Sequence, residues 1–265
     1  MRLKKTVLFV LMIIFLLSSF PLKAHGDSET IEQLNHMADE ILQLVRSSRY
    51  EEAEKLLQHF ARKFLQEGGM GEYGLSMEEM RVMTIAHEEA AKAVADENRG
   101  HQERINAATK FRLVVDAVSF TEEPLWTEME EPILSVFGSV KEAAYAGKNG
   151  DFHSNFNSFL NLYDVIYPSI KLHLKPERIQ KLDARIEWID HYRPLVISDA
   201  AHHENLEKLE EELRSIFQNP KEDEADPSLW WVMITTGSII VITLTYVGWR
   251  KYKGQKDREK QKKPM

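Results

Sequence analysis

The 265 residues include no cysteine. That absence excludes a disulfide scaffold, a zinc finger, an iron–sulfur site and a cysteine nucleophile. Glycine is scarce, at 12 residues, and nowhere forms the loop that cradles a nucleotide phosphate. The Gly-x-Ser-x-Gly elbow of hydrolases and the Ser-x-x-Lys signature are missing as well. Positive charge is in the minority: 34 Lys and Arg stand against 42 Asp and Glu, a net −8. An acidic balance argues against a general nucleic-acid binder, and no nucleic-acid partner is expected. What the chain does have is apolar residues, 43% of the total, enough to build a sizeable core.

Two charge-free apolar runs stand at the ends. Met1-Arg2-Leu3-Lys4-Lys5 precedes the 15 uncharged residues Thr6 to Phe20, and Pro21-Leu22-Lys23-Ala24 follows. A basic start, an apolar stretch and a small residue at 24 read as a signal peptide over 1–24; an uncleaved anchor is the alternative. The second run, Leu229 to Trp249, has 21 residues and no charge. As a helix it would be about 31 Å long, enough to cross a hydrocarbon core of about 30 Å. Trp230 and Trp231 at its start and Tyr246 and Trp249 at its end match aromatic belts at headgroup level.

Residues 250–265 carry eight basic and two acidic side chains, a net +6. Positive residues favour the cytoplasmic side, so the expected topology is single-pass type I in the cell membrane, N-terminal domain outside, tail inside. Removing +4 for residues 1–24 and +6 for the tail from the total of −8 leaves −18 for residues 25–226. The expected organisation is an extracytoplasmic domain at 25–218, an acidic linker at 219–228, a membrane helix at 229–249 and a basic tail at 250–265.

Within 25–218 apolar residues recur at spacings of three, four and seven, the period of helices. Tyr50 to Gln66 is one example, with Ala53, Leu56, Leu57, Phe60 and Phe64 on one face. Ser76-Met77-Glu78-Glu79 is a capping box that opens a helix expected to end near Gly100. His101 to Ser119 carries apolar residues on two faces and is expected to be the most central helix. Pro168 is expected to kink or break a helix, Pro194 to close one, and Asp199 to cap the last. The fold class is therefore all-α: a bundle or irregular stack of helical hairpins, about eight helices, plus one C-terminal transmembrane helix.

Chemistry is thin. His87-Glu88-Glu89 lacks the second histidine four residues on that a zincin helix needs. His202 and His203 are adjacent and so point about 100° apart on a helix. Arg112 and Asp116 stand four apart on the most apolar helix; the ordinary reading is a solvent-facing i,i+4 pair, and a buried pair would mark a ligand or partner pocket. Tyr163 and Tyr167 could line the same pocket or serve the core. No catalytic residue, no metal ligand and no cofactor is assigned.

The stretch from Asn155-Phe156-Asn157-Ser158-Phe159-Leu160 to Tyr163-Asp164-Val165-Ile166-Tyr167-Pro168-Ser169-Ile170 resembles the YpjB family of sporulation proteins of Bacillus-type spore formers. The layout of leader, helical body, Trp230-Trp231 membrane segment and basic tail carries the resemblance over the whole chain. It implies a membrane protein connected with endospore formation, and no enzyme activity, ligand or site. The expected function is a membrane-anchored helical module for a membrane or cell-wall protein partner, with the lipid bilayer as its support and no catalysis. The alternatives are an envelope hydrolase using carboxylates or a metal, and a small-ligand sensor.

Overall fold

A computed structural model describes residues 28–67, 75–119, 123–220 and 227–261, with side chains at 31–64, 75–119, 123–220 and 234–251. The leader 1–24, most of the acidic linker and the Trp230 and Trp231 side chains lie outside the described residues. Among those described, every regular element is helical: ten α-helices and two 3-10 turns. The chain divides into two compact units, the first reaching His173 and including Arg193–His203, the second Leu174–Tyr192 with everything from Glu204 on.

The first unit begins with four helices: α1 (Ser28–Arg46), α2 (Tyr50–Glu67), α3 (Met77–Ala95) and α4 (His101–Val118). Each packs on the next, and α1 closes the ring against α4. The turn between α1 and α2 is a Schellman motif: Ser48 N–H donates to the Val45 carbonyl at 3.0 Å and Arg49 N–H to that of Leu44 at 2.9 Å. It puts Ser48 at φ 58°, a conformation that glycine more often supplies. The capping box is present, Ser76 Oγ accepting from the Glu79 N–H and the Glu79 carboxylate from that of Ser76. The helix it opens stops at Ala95 and not near Gly100, because Asp96 Oδ1 accepts from the Asn98 N–H at 3.0 Å and turns the chain there.

Ile41, Leu57, Phe60, Met83 and Phe111 fill the ring's centre. Phe60 and Phe111 meet edge-on at 4.9 Å. His87 lies against both, at 5.8 and 5.6 Å, and its Nε2 sits 2.9 Å from the Leu57 carbonyl. That bond requires the proton on Nε2, so His87 is a packing residue of this core.

After the 3-10 turn Leu125–Met129, α5 (Glu130–Tyr145) and α6 (Asn149–His173) form a hairpin, and α6 packs on the outer side of α4. Phe152, Phe156, Phe159 and Tyr163 of α6 run as one aromatic column with centroid steps of 5.8, 5.8 and 6.1 Å. Helix α6 passes Pro168 unbroken. The proline forfeits one backbone bond, but buried residues on both sides of it, Ile166 and Ile170, hold the helix in place. The short α8 (Arg193–Ser198) packs on this hairpin, with Arg193 over the Phe156 ring at 4.9 Å. The preceding helix has ended at His191, before Pro194, as expected, and the proline then takes the second position of α8, where its missing N–H costs nothing.

The second unit holds α7 (Pro176–His191), α9 (Glu204–Gln218) and α10 (Pro227–Gln261). Helix α7 ends at His191 with the Tyr192 N–H bonded to the Trp188 carbonyl. Asp199 caps only the 3-10 turn Ala200–His202; α9 opens at Glu204. Helices α7 and α9 pack through Ile179, Leu182 and Ile186 against Leu206, Leu209 and Leu213, a fully buried Leu or Ile contributing ~1.5–3 kcal/mol.

Among the described residues no helix is long and apolar enough to cross a membrane. The run Leu229–Trp249 enters that description only from residue 234, where side chains begin to be described. Over this part, Ile239, Ile240, Val241 and Ile242 are 53–66% exposed and, at 100° steps, face all four sides of α10. Tyr246 and Trp249 are exposed too.

Candidate functional site

Helix α4 is covered on every side from Phe111 to Val118, all eight residues being buried. Bundle helices cover one side and α6 the other. Arg112 and Asp116 fall inside this stretch, so the pair is buried, at 8% and 3% exposure, and is not on a solvent-facing edge. Its closest approach is 3.8 Å. Each partner has firmer bonds elsewhere. Arg112 Nε pairs with Asp39 and its Nη1 donates to Asn35 Oδ1 at 3.1 Å, both on α1. Asp116 Oδ2 accepts the Leu125 N–H at 2.8 Å, at the mouth of the 3-10 turn.

The next residue, Trp126, is fully buried, and its indole N–H donates to His173 Nδ1 at 3.1 Å. The chain from Asn35 and Asp39 through Arg112 and Asp116 to Leu125, with Trp126 and His173 beyond it, ties α1, α4, the 3-10 turn and α6 together. This is a clamp in the first unit. A charge in low dielectric is tolerated only where its bonds are satisfied, and these bonds join elements that would otherwise meet only through apolar contact.

Burial lowers the pKa of His173 below the ordinary histidine value, against smaller upward pulls from a bond to the Ser169 backbone and from Asp116. The Trp126 bond acts in the same direction as burial, because an indole N–H needs an unprotonated Nδ1. The unfolded chain binds this proton near pH 6.5, before the folded one does. His173 therefore contributes stability above about pH 6.5 that is lost as pH falls below it, at most ~1.4 kcal/mol per pH unit. Urea unfolding at pH 7.5 and 5.5 should show a larger acid loss in the native chain than in His173→Asn. Equal losses would remove His173 from the clamp.

Tyr163 is buried and Tyr167 half-buried, their rings 5.6 Å apart on α6. Tyr163 belongs to the aromatic column; Tyr167 packs under the Lys171 ammonium at 5.4 Å. None of Arg112, Asp116, Tyr163 and Tyr167 lines the depressions between α7 and α9, among α3, α4 and α6, or between α1 and α2.

A depression the sequence did not point to lies on the same unit. It has a volume of about 490 Å³ and is bordered by α3, α4 and α6. Lys110 stands in it, bonded to Glu89 at 3.0 Å and Asp164 at 2.6 Å. Burial works to lower the Lys110 pKa, but the two carboxylates outweigh it and raise it above the usual lysine value. Lys92, Arg99 and Glu103 complete a rim of both signs. The only sequence signal would have been the i,i+3 spacing of Glu89 and Lys92 on α3, which most solvated helices share.

Among the described residues no group of three or more His, Cys, Asp or Glu is arranged to hold a metal ion. His202 lies 3.8 Å from Asp199, and the His203 ring packs on Tyr145 at 4.7 Å, so the two histidines serve separate neighbours.

The family model described as Sporulation protein YpjB (SpoYpjB) matches residues 31–261. The chain is 31% identical over 263 residues to the uncharacterized protein YpjB of Bacillus subtilis (strain 168), spanning 99% of this chain and 98% of that one. No solved structure matches.

Proposed function

Since the chain belongs to the YpjB family of sporulation proteins and so takes part in endospore formation, we propose that it acts there as a membrane-anchored interaction module. The helical body lies outside the cytoplasm, α10 is the anchor, and the basic tail lies on the inner leaflet. The observation that carries this reading is the apolar surface around the whole circumference of α10, which no packed core of the second unit absorbs. Water penalises such a surface, at roughly 25 cal/mol per Å², and a bilayer removes the penalty. The hydroxyls in this stretch fit a bilayer too. Ser238, Thr243 and Thr245 each donate to a carbonyl one turn back in their own helix, so these three hydroxyls need no water. With Trp230, Trp231, Tyr246 and Trp249 at the two ends, the run has the aromatic belts of a span.

The body works by binding and not by catalysis in this reading. Inward charges join helices: Arg112 with Asp39, Lys110 with Glu89 and Asp164, Arg185 with Glu212. A partner with its own membrane helix, or a wall protein, is the occupant such a scaffold presents itself to.

Topology tests the proposal directly. A reporter active only outside the cytoplasm should be active when fused after Asp226 and silent when fused after Met265. Truncation after Asn219 should move the protein from the alkali-washed membrane pellet to the soluble fraction. A soluble full-length chain, or the reverse reporter pattern, would overturn the anchored reading.

A further inference from the structure

Helix α4 starts without a side-chain cap. Its N-cap residue is Gly100, which has no side chain to offer. Among the described residues nothing accepts from the N–H groups of His101, Gln102 and Glu103. The first bonded N–H is that of Arg104, 3.2 Å from the Gly100 carbonyl. Three open donors thus stand at the positive end of an 18-residue helix.

Open donors alone call for no more than water. The second observation is Arg104, the fourth residue of the helix. It is 7% exposed, yet among the described residues no carboxylate pairs with it. Its Nη2 donates to the Asp96 carbonyl at 2.6 Å. The guanidinium lies over the Tyr50 ring, 4.0 Å from the centroid, and the Tyr50 hydroxyl is 2.6 Å from His101 Nδ1. Nε is buried with no partner among the described residues. These contacts put the charge at the helix start: side chains on a helix lean toward its N-terminus, and Asp96 and His101 stand on either side of Gly100.

Lys110, Arg112 and Arg185 each have a carboxylate, whereas Arg104 has a carbonyl and a ring. A buried charge without a counter-ion is costly, and a helix N-terminus beside it is where an anion is best received. We propose that the start of α4 binds a carboxylate group, through the N–H groups of residues 101–103 and the Arg104 guanidinium. A single unmatched cation calls for a single negative charge. Arg99 already faces Asp96 at 3.9 Å, and Glu97 and Glu103 would repel the second charge of a phosphate. On the interaction reading above, on which only the source of the group rests, the carboxylate is an acidic side chain of a protein partner.

Nuclear magnetic resonance reads the site directly. Full-length ¹⁵N-labelled protein in detergent micelles is titrated with sodium acetate, and with sodium chloride at equal ionic strength. The amides of His101, Gln102 and Glu103 and the Nε–H of Arg104 should follow one saturable curve with acetate and stay still with chloride. Arg104→Gln should raise the half-saturating concentration about tenfold or more, the worth of a charged hydrogen bond. No saturable acetate shift in the native chain overturns the site without recourse to any variant. An unchanged curve in Arg104→Gln assigns the effect to the bare helix end and overturns it too. Phosphate saturating ahead of acetate overturns the choice of carboxylate. The blocked tripeptide acetyl-Ala-Glu-Ala-amide tests the source. Saturation below the acetate concentration supports a protein partner; saturation no earlier than acetate keeps the site and overturns the partner assignment alone.

Discussion

Arg112→Ala is expected to destabilise the first unit by ~3–5 kcal/mol, the cost of leaving a buried charge without its partner. For a body of this size that lowers the unfolding temperature by roughly 10 °C or more. The stranded group is Asp116, 3% exposed, whose bond to the Leu125 N–H does not replace the lost cation. Asp39→Ala removes the partner on α1 instead, but that carboxylate is 48% exposed, so its loss should cost no more than ~1 kcal/mol. Arg112→Leu combined with Asp116→Leu should recover much of the single-variant loss, because an apolar pair needs no desolvation. Thermal unfolding of the four proteins separates the contributions. An Arg112→Ala chain within 1 kcal/mol of native would show that the clamp holds nothing.

Trp126→Ala is expected to cost a similar ~3–5 kcal/mol, for a different reason. The ring is fully buried, and its removal opens a cavity where the 3-10 turn meets α4 and α6. Trp126→Phe retains most of the packing and loses only the bond to His173, worth ~1 kcal/mol, more if the ring nitrogen finds no other donor. Denaturant unfolding should therefore rank native, Phe, Ala, with the larger step second. A larger first step would assign the joint to the hydrogen bond.

Both effects arise at residues whose sequence context is ordinary. Arg112 and Asp116 have the spacing of a common surface pair, and on α4 alone nothing distinguishes them from one. What buries them is coverage: α1 from one side, the 3-10 turn and α6 from the other. Trp126 sits among Glu122, Glu123, Glu128, Glu130 and Glu131, a neighbourhood that reads as solvent. Lys110 likewise joins Glu89 and Asp164, carboxylates 21 and 54 residues away.

Proline and cap residues act on their own stretch of backbone. The Ser76–Glu79 box is wholly local, and it stands as expected. Pro168 lies within a helix, Pro194 begins one and Asp199 caps a 3-10 turn, since a proline or cap residue states only what its own backbone can do. Whether a helix continues past it depends on what is packed against the helix beyond.

The sequence by itself determined the all-helical class, the central place of α4, the apolar run at 229–249 and the membership of the YpjB family. These follow from periodicity and order along the chain, which no folding event alters. Only the tertiary structure decided that Arg112 and Asp116 are buried and joined to α1 and the 3-10 turn, and that three basic residues of α7 share a groove with α9. A side chain's solvent and partners are set by elements far away in sequence, and desolvation, which turns an ordinary ion pair into a costly one, exists only once those elements have closed over it.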